Sequence, residues 1–233
     1  MQYEVHNRPL PVLICRLNQG ESVECQQGAM SWMTPSISMQ TGLGSGGKGL
    51  LGALGKMAKS AVTGESIFRN TYTAQTGPGE IAFASTFPGD IISFDVGATQ
   101  IIAQKRAYLA STPGVQMELA FTGGKKFGGV LGGEGLIMQK FTGNGTVFLE
   151  IDGCVYNYTL GAGESMLVDT GYLAAMEATC SMDVETVKGL GNIVAGGEGL
   201  FNTKVTGPGK IWLQTMPSNI LANAIKPYIP TGS

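Results

Sequence analysis

The sequence is poor in histidine, and this scarcity limits the chemistry it can perform. Its 233 residues contain one histidine, His6, near the start of the chain. Catalytic Ser-His or Cys-His pairs need a histidine within a motif, and soft-metal sites need clusters of His or Cys. The four cysteines form no CxxC pair; they are Cys15, Cys25, Cys154 and Cys180. We therefore expect no enzyme activity, no metal, no cofactor, and buried free thiols.

Charge is also scarce. Charged residues make up 14% of the chain, and 15 basic residues against 17 acidic ones give a net charge of −2. Nucleic-acid binding depends on neutralising phosphates, and no basic stripe is present, so we expect no nucleic-acid partner. No apolar run reaches the roughly 18 residues of a membrane helix. The first residues lack the basic and apolar regions of a signal peptide, which predicts a cytoplasmic protein.

Glycine is abundant instead, with 36 residues, and it marks a phrase that occurs three times. Each copy starts with a Gly-Glu pair, reaches a glycine-rich turn and continues into an apolar strand. The pairs are Gly64-Glu65, Gly133-Glu134 and Gly197-Glu198; the turns are 77–79, 143–145 and 207–209. Such turns are typical of β-hairpins, because glycine reaches positive φ without penalty. The repetition predicts an all-β chain.

The spacing of these phrases predicts one pseudo-threefold body rather than separate domains. Its three tandem units would span about residues 10–85, 86–151 and 152–216, each with six strands or so, followed by a tail over 217–233 with a short helix near Ser218. The distances Gly28–Gly64 and Gly97–Gly133 are equal, whereas Gly171–Gly197 is shorter. This difference predicts that the third unit has lost a loop.

Acidic residues recur at the glycine turns, and two interpretations of them stay open. Glu65, Glu134 and Glu198 would either converge near the pseudo-axis and hold a hard cation such as Ca²⁺ or Mg²⁺, or each accept hydrogen bonds within its own turn. The same alternatives apply to a second set of turn acids, aligned with one another by a Gly-acid pair: Glu21, Asp90 and Glu164. Asp95 and Asp169 are predicted to form Asx-turns.

The segment from Gly42 to Ser60 combines a glycine-serine stretch with apolar residues at helical spacing. The apolar residues of this predicted amphipathic helix are Leu50, Leu51, Leu54 and Met57. The helix would either contact a membrane surface or a partner, or pack on the end of the β-structure.

Several of these features together resemble the altered-inheritance-of-mitochondria type 24 family. They are the module 87–91 (FPGDI), the stretch 104–110 (QKRAYLA) and the repeated Gly-Glu-Gly-Leu phrase, within a resemblance over about residues 3 to 215. This mitochondrial biogenesis family has many bacterial members of unknown function. The resemblance implies β-sandwich units of double-stranded β-helix type, similar to the trp RNA-binding attenuation protein. It carries over no catalytic residues, and RNA binding does not transfer, because fold does not imply function.

The expected function is therefore that of a non-enzymatic interaction or scaffold protein. It would self-associate or bind a protein partner, with peripheral membrane contact through the Leu50–Met57 segment as one version of this hypothesis. The alternative is a small-molecule or cation-binding module that uses the repeated turn carboxylates.

Overall fold

A computed structural model describes residues 1–6, 9–42, 69–122, 136–186 and 201–229. These residues form β-strands, short 3₁₀ turns and one α-helix, which confirms the predicted all-β class. In chain order the elements are β1 (Gln2–His6), β2 (Val12–Leu17), β3 (Ser22–Gln26), β4 (Trp32–Met33), β5 (Ile37–Gly42), β6 (Arg69–Ala74), β7 (Gly79–Ala84), β8 (Gly89–Asp95), β9 (Ile101–Gln104), β10 (Tyr108–Ser111), β11 (Val115–Thr122), β12 (Ile137–Gly143), β13 (Thr146–Asp152), β14 (Val155–Leu160), β15 (Ser165–Asp169), β16 (Leu173–Glu177), β17 (Ser181–Thr186), β18 (Phe201–Thr206), β19 (Gly209–Gln214) and α1 (Ser218–Ile225).

The chain forms two compact units, each built from separate stretches of sequence. The first comprises Met1–Gly97, Tyr108–Val115 and Gly143–Glu150. The second comprises Ala98–Ala107, Gln116–Thr142 and Ile151–Ser233. Neighbouring strands in space are therefore often distant in sequence.

The first unit contains a four-stranded sheet in the order β1-β2-β7-β4 and a six-stranded sheet in the order β5-β6-β3-β10-β13-β8. Alternating side chains of β2 explain why it forms a strand with one apolar face: Leu13, Cys15 and Leu17 are buried, while Arg16 between them is exposed. The same core includes Val23 of β3 and other residues of both sheets. Each sheet thus buries an apolar face.

The second unit contains a six-stranded sheet in the order β11-β12-β9-β16-β19-β14 and a three-stranded sheet in the order β15-β18-β17. Its core includes Val168 and Val205 from the small sheet and Leu160, Met176 and Ile211 from the large one. Helix α1 lies in this unit, and none of its residues is buried. The predicted tail helix is confirmed, although Pro217, rather than Ser218, precedes its first residue.

One order of strand pairing occurs three times along the chain. It divides strands β2 to β19 into three sets of six consecutive strands. The sets are β2–β7, β8–β13 and β14–β19, which cover residues 12–84, 89–152 and 155–214. In every set the sixth strand lies between the first and the third, and the fifth lies between the second and the fourth. The middle set contributes three strands to each unit. The pseudo-threefold arrangement of these sets stays a prediction.

Consecutive sets are joined by one further strand pairing, which we call a junction. At the first junction, the second strand of set one, β3, pairs antiparallel with the third strand of set two, β10. At the second junction, β9 pairs antiparallel with β16 in the same relation. The six-stranded sheet of each unit is therefore half of one set joined to half of the next.

The pairing order also corrects the alignment of the repeats within the sequence. Gly89 starts β8, the first strand of its set, whereas Gly20 and Gly163 precede second strands, β3 and β15. The Gly89-Asp90 pair is therefore not equivalent to the other two Gly-acid pairs, and the spacing match between Gly28–Gly64 and Gly97–Gly133 is a coincidence. The segments between fourth and fifth strands are 43–68, 123–136 and 187–200. Set one thus has a longer connection, and the predicted loop loss in the third unit is wrong.

Candidate functional site

The residues that the sequence singled out for binding lie outside the described part of the chain. They are the three repeated glutamates, Glu65, Glu134 and Glu198, and the apolar residues of the proposed surface-contact helix, Leu50, Leu51, Leu54 and Met57. Both hypotheses stay predictions. Within the described ranges, no group of three or more His, Cys, Asp or Glu side chains is placed to hold a metal ion.

Two of the other turn acids accept hydrogen bonds within their own turns, as one of the two interpretations predicted. Oε2 of Glu21 accepts the N–H of Asn18 at 2.8 Å, and Oε2 of Glu164 accepts the N–H of Gly161 at 2.8 Å. The α-amino group of Met1 and the N–H of Asn18 lower the pKa of Glu21. These carboxylates therefore stabilise the turns that lead into β3 and β15.

The predicted Asx-turns are confirmed at both positions. Oδ1 of Asp95 accepts the N–H of Gly97 at 2.9 Å, and Oδ1 of Asp169 accepts the N–H of Gly171 at 3.2 Å. Each aspartate ends a strand and bonds the backbone two residues further on, which explains its position without a catalytic role.

Three of the four cysteines are buried, as predicted, but Cys154 is exposed. Burial raises the pKa of the Cys15 thiol to about 12 and that of the Cys25 thiol to about 12. Since the thiolate is the reactive form, two factors protect these side chains from thiol reagents: they are inaccessible to solvent, and they stay protonated. Cys154 lies in the turn between β13 and β14 and is exposed to solvent.

A thiol reagent should therefore label one cysteine of the folded protein rapidly and the other three only after unfolding. The measurement is the number of thiols titrated with an aromatic disulfide reagent, before and after addition of denaturant. A Cys154→Ser variant serves as the control and should lose the rapid phase alone. Rapid labelling of two or more thiols in the folded protein would contradict the burial of Cys15, Cys25 and Cys180.

A buried charge pair lies on β3 and β6 in the first unit. Nη1 of Arg69 lies 2.6 Å from Oε2 of Glu24, and the two side chains are only 10% and 2% exposed. Nη1 of Arg69 also donates to the backbone oxygen of Val115 at 3.4 Å. Among the described residues, Nε of Arg69 has no hydrogen-bond partner, and Oε2 of Glu24 meets the guanidinium outside hydrogen-bonding angles. The two charged groups are close, but not all of their polar atoms form hydrogen bonds.

Two hydroxyl groups extend this polar cluster on strand β10. The Tyr108 hydroxyl lies 3.1 Å from Oγ of Ser111 and donates to the backbone oxygen of Glu24 at 3.4 Å. Burial raises the pKa of Tyr108 above its usual value, while the hydrogen bond with Ser111 and the charge of Arg69 act in the opposite direction. Since Ser111 is the register partner of Glu24 at the first junction, the cluster lies on that junction.

The second junction has the same geometry but an apolar composition. Glu24 and Ser111 correspond to Ile102 and Met176, which are register partners between β9 and β16. The strand registers give two more counterparts. Arg69 corresponds to Met138 through the pairing of the second and fifth strands, and Tyr108 corresponds to Leu173 through the pairing of the third and sixth strands. All four counterparts pack in or against the core of the second unit. The fold of a junction therefore does not require a charge pair, and the cluster is particular to the first one.

Two strands occupy junction positions but, within their own units, pair with no strand of another set among the described residues. Third strand β4, the counterpart of β10 and β16, pairs only with β7 among the described residues. Second strand β15, the counterpart of β3 and β9, pairs in the same part of the chain only with β18. Both edges present apolar side chains: Leu167 of β15 is 62% exposed, Trp32 of β4 is 49% exposed and Met33 is 36% exposed. These two edges are the candidate functional site.

This chain is similar to known proteins in sequence and in fold. The sequence model of a family described as mitochondrial biogenesis AIM24 matches residues 3–216. An uncharacterized protein of Streptococcus pyogenes serotype M6 is 32% identical over 225 residues, which cover 96% of this chain and 88% of that protein.

A crystal structure of a Streptococcus pyogenes protein is similar with a TM-score of 0.78 and 28% identity, over 98% of this chain and 99% of that one. No helix within the described ranges is long and apolar enough to cross a membrane. The match over nearly the whole length places the chain in the mitochondrial biogenesis AIM24 family.

Proposed function

We propose that this protein is a non-enzymatic interaction protein, a scaffold that binds its partner through exposed apolar side chains of β4 and β15. The observation that carries the proposal is the exposure of Leu167, Trp32 and Met33 on strands that each lie at the end of their own sheet. A partner would cover this apolar surface.

The physical reason is that burial of exposed apolar side chains against another surface is favourable. Leu167 lies at the centre of β15, an end strand of its sheet, and carries no charge that would oppose such a contact. The strand is therefore suited to binding a partner.

The proposal takes the three strand sets as repeats around a pseudo-threefold axis, each a sandwich of double-stranded β-helix type as in the trp RNA-binding attenuation protein. The recurring order of pairing supports this arrangement. It assigns the protein no catalytic step, no cofactor and no nucleic-acid partner, and it places the protein in the cytoplasm. Peripheral membrane contact through Leu50, Leu51, Leu54 and Met57 is a further part of the proposal, and cation binding by Glu65, Glu134 and Glu198 is the alternative to it.

The proposal is tested by the size of the assembly that contains the protein in extracts of its native host. The wild-type protein should elute from a sizing column in an assembly larger than one chain. Leu167→Lys should release the single chain, because a lysine at the centre of the edge opposes close pairing with an apolar partner.

Tyr156→Lys is the matched control, since Tyr156 is an exposed apolar residue on β14, an edge strand that is not at a junction position. It should leave the assembly intact. If Leu167→Lys elutes with the wild-type protein, the β15 edge is not the binding surface and the proposal fails.

A further inference from the structure

We infer that the buried charge pair of Glu24 and Arg69 determines the partner of β10, so that this strand pairs with β3 of another set and not with β9 of its own. The second junction forms between apolar side chains, so a junction does not need charges to exist. The charges instead distinguish β3 from β9, two second strands with the same geometry. Such a difference directs pairing, because it disfavours the wrong combination of strands.

Strand β9 is the alternative partner because it directly precedes β10 in the sequence. Only Lys105–Ala107 separates the two strands. Ala103 is the counterpart of Cys25 in the junction register, so in a pairing of β9 with β10 it would lie opposite Ala110. Residues 105–108 would then form the loop, at a length that antiparallel hairpins commonly use. Contacts between neighbouring strands also form faster than contacts between distant ones.

The polar groups of the first junction come from both sets that meet there. Set one supplies Glu24 and Arg69, and set two supplies the side chains of Tyr108 and Ser111 and the backbone oxygen of Val115. The Arg69 guanidinium donates to the Val115 oxygen, and the Tyr108 hydroxyl donates to the backbone oxygen of Glu24, each at 3.4 Å. Ser111 lies opposite Glu24 in the register. The cluster is therefore complete only when β3 and β10 are paired.

The hairpin of β9 and β10 would separate these groups. Ile102 would take the place of Glu24 opposite Ser111, whose side chain is buried. Glu24 and Arg69 would lose the hydrogen bonds and the hydroxyl neighbours that set two supplies, and buried polar groups without partners are costly. This cost falls on the wrong pairing and not on the native one.

The test lets one introduced thiol choose between two partners in the full-length chain. Ala110→Cys places a thiol opposite Cys25 when β10 pairs with β3, and Ala103→Cys places a thiol opposite position 110 when β10 pairs with β9. The chain is refolded from urea in reduced and oxidised glutathione, which exchange disulfides until the links match the stable pairing. Peptide mass mapping then gives the ratio of the two links at position 110.

With both charges present, position 110 should link to Cys25. With Glu24→Ile and Arg69→Met added, the link to position 103 should rise at least about tenfold relative to the link to Cys25, because β3 then no longer differs from β9. Tyr108→Phe removes one hydroxyl of the cluster with little change in shape, and it should shift the ratio in the same direction by less.

Gly77→Ala is the control for lost stability. Gly77 lies in the turn before β7, where an alanine strains the backbone without altering a junction. The ratio of links should therefore stay at the value found with the wild-type charges. If it rises as far as in the variant without charges, lower stability alone explains the change and the inference fails.

Two further results would overturn the inference. One is a ratio that neither the apolar replacement nor Tyr108→Phe changes. The other is a chain with both charges in which position 110 links to position 103, or to neither thiol, because β10 would then not be held opposite Cys25. None of these results concerns β4 or β15, so the proposed function is tested separately.

Discussion

Replacing Arg69 with methionine is expected to reduce the free energy of unfolding by about 3–5 kcal/mol, because it leaves the Glu24 carboxylate buried without its counter-charge. The Glu24 side chain is 2% exposed, so water does not replace the guanidinium. The measurement is urea-induced unfolding, with the loss read from the midpoint at constant slope.

The double variant Glu24→Ile with Arg69→Met supplies the matched control from the chain itself. It copies Ile102 and Met138, which occupy the same positions at the second junction and are compatible with that fold. Since replacing a whole buried ion pair with apolar residues is often neutral or stabilising, the double variant should regain most of the loss. The interaction energy between the two sites follows from the cycle of single and double variants.

Two outcomes would contradict this account of the charge pair. A loss below about 1 kcal/mol for Arg69→Met would mean that the Glu24 side chain finds another hydrogen-bond partner at little cost. A double variant as unstable as the single one would mean that the first junction needs its charges for packing, and that the comparison with the second junction is misleading.

Gly145→Ala is expected to reduce the free energy of unfolding by about 2–6 kcal/mol, through two causes that can be separated by the same substitution at another glycine. The backbone of Gly145 has φ of +148°, which side-chain-bearing residues rarely adopt, at a cost of about 1–3 kcal/mol. A Cβ there would also lie 2.2 Å from Oγ1 of Thr112. That hydroxyl is held in place because it accepts the N–H of Thr146 at 2.9 Å, so overpacking adds about 1–3 kcal/mol.

Gly77→Ala isolates the first of these causes. Gly77 has nearly the same φ, +150°, but a Cβ at this position would meet nothing within 4 Å. It should therefore lose only the conformational part, and the difference between the two variants measures the collision with Thr112. Equal losses in urea unfolding would show that Thr112 moves aside freely and that backbone strain alone accounts for both.

Glycine spacing predicted the strand class and the turns well, because both depend on neighbouring residues. The turns at 77–79, 143–145 and 207–209 each lead into a strand, β7, β13 and β19, and glycines in all three have positive φ. The Asx-turns at Asp95 and Asp169 and the capped turns at Glu21 and Glu164 are local for the same reason. The sequence aligns Gly89 with the wrong residues of the other repeats, because the Gly-acid signal is short and occurs before more than one of the strands in a set.

Neither the buried charge pair nor the candidate functional site was predictable in this way. Glu24 lies in a strand with no motif around it, and its partner Arg69 is 45 positions further along, so no local pattern joins them. One signal was present: a glutamate between Val23 and Cys25 within an apolar strand is unusual, because charged side chains are rarely buried without a partner. Leu167 gave the opposite difficulty, since an apolar residue inside a strand is normally assigned to the core.

The order of residues along the chain was sufficient to determine an all-β protein with glycine turns and three recurring phrases, because turn geometry and side-chain alternation are set by nearest neighbours. Only the tertiary structure decided which strands meet across sets, and therefore that one junction encloses a charge pair and another is apolar. Pairing between distant strands depends on how complete sheets pack, and that information is distributed over the whole chain rather than written at either strand.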